Sequence, residues 1–205
     1  MIITEISQQR KKGRYNLFVD EVFYSGLGAE AIVKNGLKVG QEITKDKLEE
    51  IVSESEERSA FEKILTIISK QMQTKFELRQ KLLKYGFSES VIQNSIKKAE
   101  EYGYVNDGLY AKMVVDAKKS KSKMEVKSFL FKKGVSNNII QEETEKIDEE
   151  QEKENTIKLA EKYMKNKEIN QKTLAGLYGF LSRKGFSSAS VRYALEKYKF
   201  DEFEE

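Results

Sequence analysis

The chain contains no histidine, no cysteine and no proline. Without imidazole there is no histidine general base, and without a thiol there is no thiolate nucleophile. Together these absences remove the usual zinc ligands. Enzymes can run on Asp, Glu, Lys, Ser or Tyr, but the commonest catalytic toolkit is missing, and no catalytic, metal or cofactor-binding residues are assigned. No glycine-rich phosphate loop of the Walker type occurs, so the chain is not expected to hydrolyse ATP. A run of about 18 apolar residues, the minimum for a membrane-spanning helix, is absent as well. The N-terminal stretch MIITEISQQRKK has no apolar core long enough for a secretory signal. Lack of cysteine fits a reduced compartment, and a cytoplasmic location is the resulting expectation. Zero proline, with abundant Lys, Glu and Ile, favours uninterrupted helices.

What is present is unevenly distributed. The 205 residues suffice for one or two domains and can bury a core, and their net charge is +3. Residues 1–58 carry −2, residues 59–135 carry +8, residues 136–165 carry −4 and residues 166–205 carry +1. A basic middle between acidic flanks points to a polyanionic partner reached by one face.

One stretch is written three times. Each copy centres on a glycine, Gly86, Gly134 or Gly185, spaced 48 and then 51 residues apart. Twelve positions earlier stands a hydroxyl residue (Thr74, Ser122, Thr173), four earlier a leucine (Leu82, Leu130, Leu181), and two earlier a cation (Lys84, Lys132, Arg183). An apolar residue (Phe87, Val135, Phe186) and then a serine (Ser88, Ser136, Ser187) follow, with Ile92, Ile140 or Val191 further on. The hydroxyl reads as a helix N-cap. Glu77 and Glu125, three residues after Thr74 and Ser122, complete the capping-box pattern. The glycine ends the helix in the left-handed conformation, the apolar residue packs back on its last turn, and the serine caps the next helix.

Ahead of the repeats, residues 2–8 and 14–19 read as a β-hairpin turning at Lys11-Lys12-Gly13. Asp20-Glu21 leads into a third strand over Val22 to Ser25. Short helices follow, from Gly28 to Asn35 and, capped by Thr44, from Lys45 to about Ser55. The polar run Ser53-Glu54-Ser55-Glu56-Glu57-Arg58 reads as a linker. Beyond it, Phe61, Ile64, Leu65 and Ile68 lie at helical spacing. Helices are then expected over 74–85, 88–102, from Asn106 or Asp107, over 122–133, 136–147, after the charged stretch Glu149 to Asn155, over 173–184 and over 187–198. The fold expected is mainly α: a small N-terminal β-hairpin-containing β/α module (1–57) and three tandem three-helix repeats (58–105, 106–148, 149–205) in an elongated, curved array.

The blocks ELRQKLLKYGF, YGYVNDGLYAKMVV, VKSFLFKKGV and FLSRKGFSSASVRYAL, in this order, resemble the RecX family of bacterial recombinase regulators. Two departures stand out. Asn106 occupies a usually acidic position, and the basic loop KKSKSK before the second repeat helix lacks the family's glycine. The resemblance implies a non-catalytic protein that binds the RecA recombinase filament on DNA. Such a protein lies in the filament groove and suppresses ATP hydrolysis, strand exchange and co-protease activity. It also implies contact with single- or double-stranded DNA, and the protein is expected to be a monomer.

The residues themselves supply candidates for partner binding. Lys84, Lys132, Lys133, Arg183 and Lys184 fall in the last turns of the repeat helices. There they either complement the helix dipole, at about 0.3–1 kcal/mol each, or form a stripe that follows a phosphate backbone or an acidic groove. Lys118, Lys119, Lys121 and Lys123 crowd one loop, and Lys75 and Arg79 are expected to extend the patch on the exposed side of the first repeat helix. Tyr85, Tyr102, Tyr104 and Tyr110 read as core or interface aromatics before base-stacking platforms. The acidic run Glu142 to Glu154 reads as a solvated face. Two alternatives stay open: a nucleic-acid-binding protein with a helix-turn-helix-like unit, and a helical-repeat adaptor for another protein. A metal-dependent nuclease is disfavoured by the lack of histidine and of converging carboxylates.

Overall fold

A computed structural model describes residues 1–198. The chain divides into two compact units, Met1–Val105 and a second that begins at Asn106. In the first unit, β1 (Ile3–Gln8), β2 (Arg14–Val19) and β3 (Val22–Gly28) form an antiparallel sheet in chain order. The turn between β2 and β3 consists of Asp20 and Glu21, both left-handed at φ 49° and 66°. That is the backbone of a two-residue hairpin whose twist matches its strands. The third strand runs to Gly28, beyond the expected Ser25. Ile3, Leu17, Val19 and Leu27 are buried with Leu37, Leu48 and Ile51, beneath α1 (Ala29–Lys34) and the first half of α2 (Lys45–Ile68).

Helix α2 corrects the expectation of a linker at residues 53–58. It starts at Thr44, whose side chain accepts from the Lys47 N–H, but continues for 24 residues instead of stopping near Ser55. Nothing in the run breaks a helix, and Glu54, Ser55, Glu57 and Arg58 have side-chain partners. Ser55 Oγ accepts from the Gly28 N–H at 3.2 Å, and the Arg14 guanidinium donates to Ser59 Oγ at 2.7 Å. Glu54 pairs with Lys34 at 2.8 Å, and Arg58 pairs with Glu30. On another side, Asn94 donates to the Glu57 carboxylate at 2.6 Å and Ser95 to the Glu57 carbonyl at 3.1 Å. The polar run is thus a hydrogen-bonded belt between two apolar clusters. The second cluster takes Ala60 and Ile64 from α2, Leu78 and Leu82 from α3 (Lys75–Lys84), Val91, Ile92, Ile96 and Ala99 from α4 (Glu89–Glu101), and Val105. Each large side chain fully buried there contributes about 1.5–3 kcal/mol.

The second unit holds α5 (Asp107–Ala117), α6 (Lys123–Lys132), α7 (Asn137–Glu145), α8 (Glu149–Met164), α9 (Gln171–Arg183) and α10 (Ser188–Glu196). Helices α5 to α7 pack on one another, as do α8 to α10. Asn106, the first of the two expected caps, accepts from the Leu109 N–H at 2.9 Å. The core of the last three helices comprises Ala160, Met164, Leu177, Leu181, Phe186, Val191 and Ala194.

The three repeat joints form as the pattern requires. Gly86, Gly134 and Gly185 have φ of 85°, 74° and 82°. Each glycine N–H donates at 2.9 Å to the carbonyl three residues back (Leu83, Phe131, Ser182). The next N–H (Phe87, Val135, Phe186) donates to the carbonyl of the repeat leucine (Leu82, Leu130, Leu181) at 3.4, 3.2 and 3.4 Å. Both bonds of a Schellman motif are present each time, and all three leucines are fully buried.

The caps are less uniform. At Thr74 the box is complete: its hydroxyl accepts from the Glu77 N–H at 3.1 Å, and the Glu77 carboxylate accepts from the Thr74 N–H at 3.3 Å. Ser122 accepts from the Glu125 N–H at 3.1 Å. Thr173 is not a cap. Asn170, an equally good acceptor, takes the Thr173 N–H at 2.9 Å, so α9 begins earlier than expected. Ser88 and Ser187 cap their helices, whereas Ser136 makes no side-chain cap bond. The charged stretch from Glu149 is itself helix, capped by Asp148, whose carboxylate accepts from the Glu150 N–H at 3.1 Å. Acidic residues in that first turn are favoured by the helix dipole.

Candidate partner-binding surface

In the first unit the expected patch is largely neutralised. Lys75 pairs with Glu100 at 2.8 Å. Arg79 grips Glu89 through two bonds, Nε to Oε1 at 2.6 Å and a terminal nitrogen to Oε2 at 2.9 Å. The hydrogen bond and the charge of the pair hold the Arg79 pKa above its ordinary value, while the same bond holds the Glu89 carboxyl below the usual carboxylate range. Neither cation stands on an open face; both side chains are partly covered. Lys84 is exposed in the last turn of α3 and has no carboxylate partner among the described residues.

In the second unit the loop before α6 is ordered by its neighbours. Lys119 pairs with Asp116 and Lys121 with Glu125, both at 3.1 Å. The Asn155 amide donates to the Lys119 carbonyl at 2.5 Å. Glu152 corrects the reading of the acidic run as wholly solvated. It is buried, and its carboxylate accepts from the Lys123 N–H at 3.3 Å and the Ser190 hydroxyl at 3.4 Å. Glu143 is buried too and receives Lys146 at 2.5 Å, which raises the Lys146 pKa. No group of three or more acidic side chains converges as a metal site among the described residues.

Two contacts bring the loop cations to the joints. The Lys118 ammonium lies 4.3 Å and that of Lys133 5.7 Å from the centre of the Phe129 ring, so the start of the loop and the end of α6 share one aromatic ring. Ser122 Oγ donates to the Lys184 carbonyl at 2.6 Å, which sets the start of α6 against the end of α9. Lys123 therefore neighbours the Arg183–Lys184 turn. Lys132 stands at the far end of α6, about 15 Å away along a ten-residue helix. Lys132, Arg183 and Lys184 are exposed.

The tyrosines separate. Tyr110 is buried, but Tyr85, Tyr102 and Tyr104 are more than half exposed, which removes the core half of their reading as core or interface aromatics. Tyr102 and Tyr104 cluster with Phe61 at centroid distances of 5.9 and 6.3 Å. Lys63 sits 3.9 Å over the Tyr85 ring. Residue-by-residue reading missed Lys127, Phe131, Asn137 and Gln141, which line a groove between α6 and α7. The signal was available in the repeat itself, because Asn137 falls where the first copy has Glu89.

Comparison with known proteins places this geometry in context. The model of the regulatory protein RecX N-terminal domain matches residues 1–44, and that of the RecX first three-helix domain matches residues 60–98. A regulatory protein RecX of Clostridium beijerinckii is 33% identical over 195 residues, covering 93% of this chain and 92% of that protein. One of Caldanaerobacter subterraneus is 35% identical over 116 residues, or 57% of this chain and 59% of that protein. A crystal structure of a regulatory protein RecX superposes with a TM-score of 0.72 at 23% identity, covering 95% of this chain and 98% of the other. That likeness supports the fold.

Proposed function

The chain belongs to the family of RecX regulatory proteins, and from that premise we propose that it is a non-catalytic modulator of the RecA recombinase. It binds the RecA–DNA filament in its groove and suppresses ATP hydrolysis, strand exchange and co-protease function in DNA repair. It acts in the cytoplasm, as a monomer. Among the described residues no helix is long and apolar enough to cross a membrane.

One observation carries the reading from family to surface. The cation two residues before each repeat glycine, Lys84, Lys132 and Arg183, is exposed and lacks a carboxylate partner among the described residues. Such cations at helix C-termini gain a little from the dipole, and they remain available to the acidic groove of a filament or to its phosphates.

The test is the rate of ATP hydrolysis by RecA on single-stranded DNA, titrated with this protein. Inhibition well below one molecule per RecA monomer is expected. No inhibition at equimolar protein overturns the proposal. Charge reversal at Lys121, Lys123, Lys132 and Lys133 is expected to weaken binding to the filament while leaving the helical circular dichroism unchanged.

A further inference from the structure

The helix pairs α3–α4 and α6–α7 are built on one template, 48 residues apart, and each pair encloses a shallow groove. Their buried positions agree: Leu78 and Leu82 correspond to Val126 and Leu130, and Ile92 to Ile140. Their open faces do not. The α3–α4 groove is lined by Lys75, Arg79 and Lys97, but also by Glu89 and Glu100, which pair with Arg79 and Lys75, while Lys97 reaches Glu101 at 4.0 Å. In the α6–α7 groove Arg79 is matched by Lys127, and its partner Glu89 by Asn137. Lys127, Ser128, Phe131, Lys132, Asn137 and Gln141 line it over a floor of Ile140, enclosing about 470 Å³. No carboxylate is among the lining residues, and neither Lys127 nor Lys132 has an ion-pair partner among the described residues. Phe131 lines the groove with these two cations and has 67% of its surface exposed.

We propose that the α6–α7 groove is a binding site for single-stranded nucleic acid, in which one base stacks on Phe131 and Lys127 and Lys132 take the flanking phosphates. Five helical steps separate the two lysines by about 7.5 Å along the axis, so they reach different phosphates. An exposed aromatic ring in a groove that also carries cations is an arrangement that holds an unstacked base. A duplex, whose base faces are already stacked, offers that ring nothing. The amides of Asn137 and Gln141 can donate to and accept from a base edge without charge preference. A protein segment is the weaker match, because Phe131 is the one open apolar side chain in the lining and Ile140 is buried. The inference deepens the proposed function by naming which component of the filament this groove takes, and it is tested without the recombinase.

The measurement is fluorescence anisotropy of a labelled oligothymidylate with the full-length protein, repeated at several salt concentrations. Replacing both Lys127 and Lys132 by Ala is expected to lower the salt slope of log K by about 1.4, the value for two single-strand phosphates. Phe131→Ala should weaken binding about 5- to 150-fold, the range for one stacked base, while leaving binding to inorganic polyphosphate unchanged. Asn137→Glu should weaken binding by recreating in α7 the partner that Glu89 provides in α4. The matched change of Lys75 and Arg79 to Ala, in a groove already neutralised, should leave affinity within about twofold. All these side chains are partly or fully exposed, so melting temperatures are expected to hold. Wild-type oligothymidylate affinity in the α6–α7 variants overturns the site, as does an equal loss from the α3–α4 variant. Equal loss of polyphosphate binding in Phe131→Ala overturns the stacking. Retained RecA inhibition in variants that no longer bind the strand separates this site from the proposed function.

Discussion

The α3–α4 and α6–α7 pairs share a backbone and differ in chemistry. Both close on a left-handed glycine and a buried leucine. One then covers its cations with carboxylates while the other leaves them open. The difference teaches that the repeat constrains what faces inward. A buried leucine must fill the same space in each copy, whereas a solvent-facing Glu or Asn costs the fold almost nothing, since exposed ion pairs contribute about 0–1 kcal/mol.

The sharpest test of the shared interior is truncation of the repeat leucine. Leu82→Ala and Leu130→Ala should each cost about 2–5 kcal/mol in urea unfolding followed by circular dichroism. A near-silent change in either would break the equivalence.

The joints come next. Apart from its chain neighbours, nothing lies within 4 Å of where a Cβ on Gly86 would stand, so Gly86→Ala should cost only the left-handed penalty, about 1–2 kcal/mol. A Cβ on Gly185 would lie 2.8 Å from Met124 Cβ and 3.0 Å from Ser122 Oγ, so Gly185→Ala should add about 1–3 kcal/mol of crowding. Equal melting temperatures for the two variants would count against the contact between the third joint and α6.

A smaller difference is expected between two serines of one repeat. Ser122→Ala removes a helix cap and the bond to the Lys184 carbonyl, for about 1–2 kcal/mol. Ser136→Ala removes no cap bond and should stay within about 0.5 kcal/mol of wild type.

The smallest effect concerns pH. Because Arg79 holds the folded-state pKa of Glu89 below its unfolded value, the pair stabilises the protein above the ordinary carboxylate range. That contribution is lost as pH falls through the lowered pKa. Glu89→Gln should therefore flatten the acid limb of stability slightly, while Asn137→Gln should leave it unchanged. Thermal melts across the acid range distinguish the two.

Much of the fold was legible because its signals are local. Gly86, Gly134 and Gly185, with their leucines four residues back and apolar residues after, specify hydrogen bonds that close within six residues. The failures were of two kinds. Thr173 lost its cap role to Asn170, since two good acceptors three residues apart compete and spacing alone does not rank them. The run at 53–58 was read as linker because it is polar, yet helix propensity there is unbroken and its partners, Gly28, Lys34 and Asn94, lie far away in the chain. Of the surface candidates, Lys84, Lys132 and Arg183 were found through the repeat. Phe131 and Asn137 were not, because a groove exists only once two helices pack.

By itself the sequence determined the repeat: where helices stop, which leucines go inside, and which cation sits in each last turn. Short-range backbone geometry and burial periodicity need no distant partner. Only the tertiary structure decided the continuity of α2, the burial of Glu152 between α6 and α10, and which cations are cancelled. Those outcomes depend on the partner that packing brings within hydrogen-bond reach. Arg79 and Lys127 hold the same place in the repeat, and a carboxylate across the groove, present for one and absent for the other, separates them.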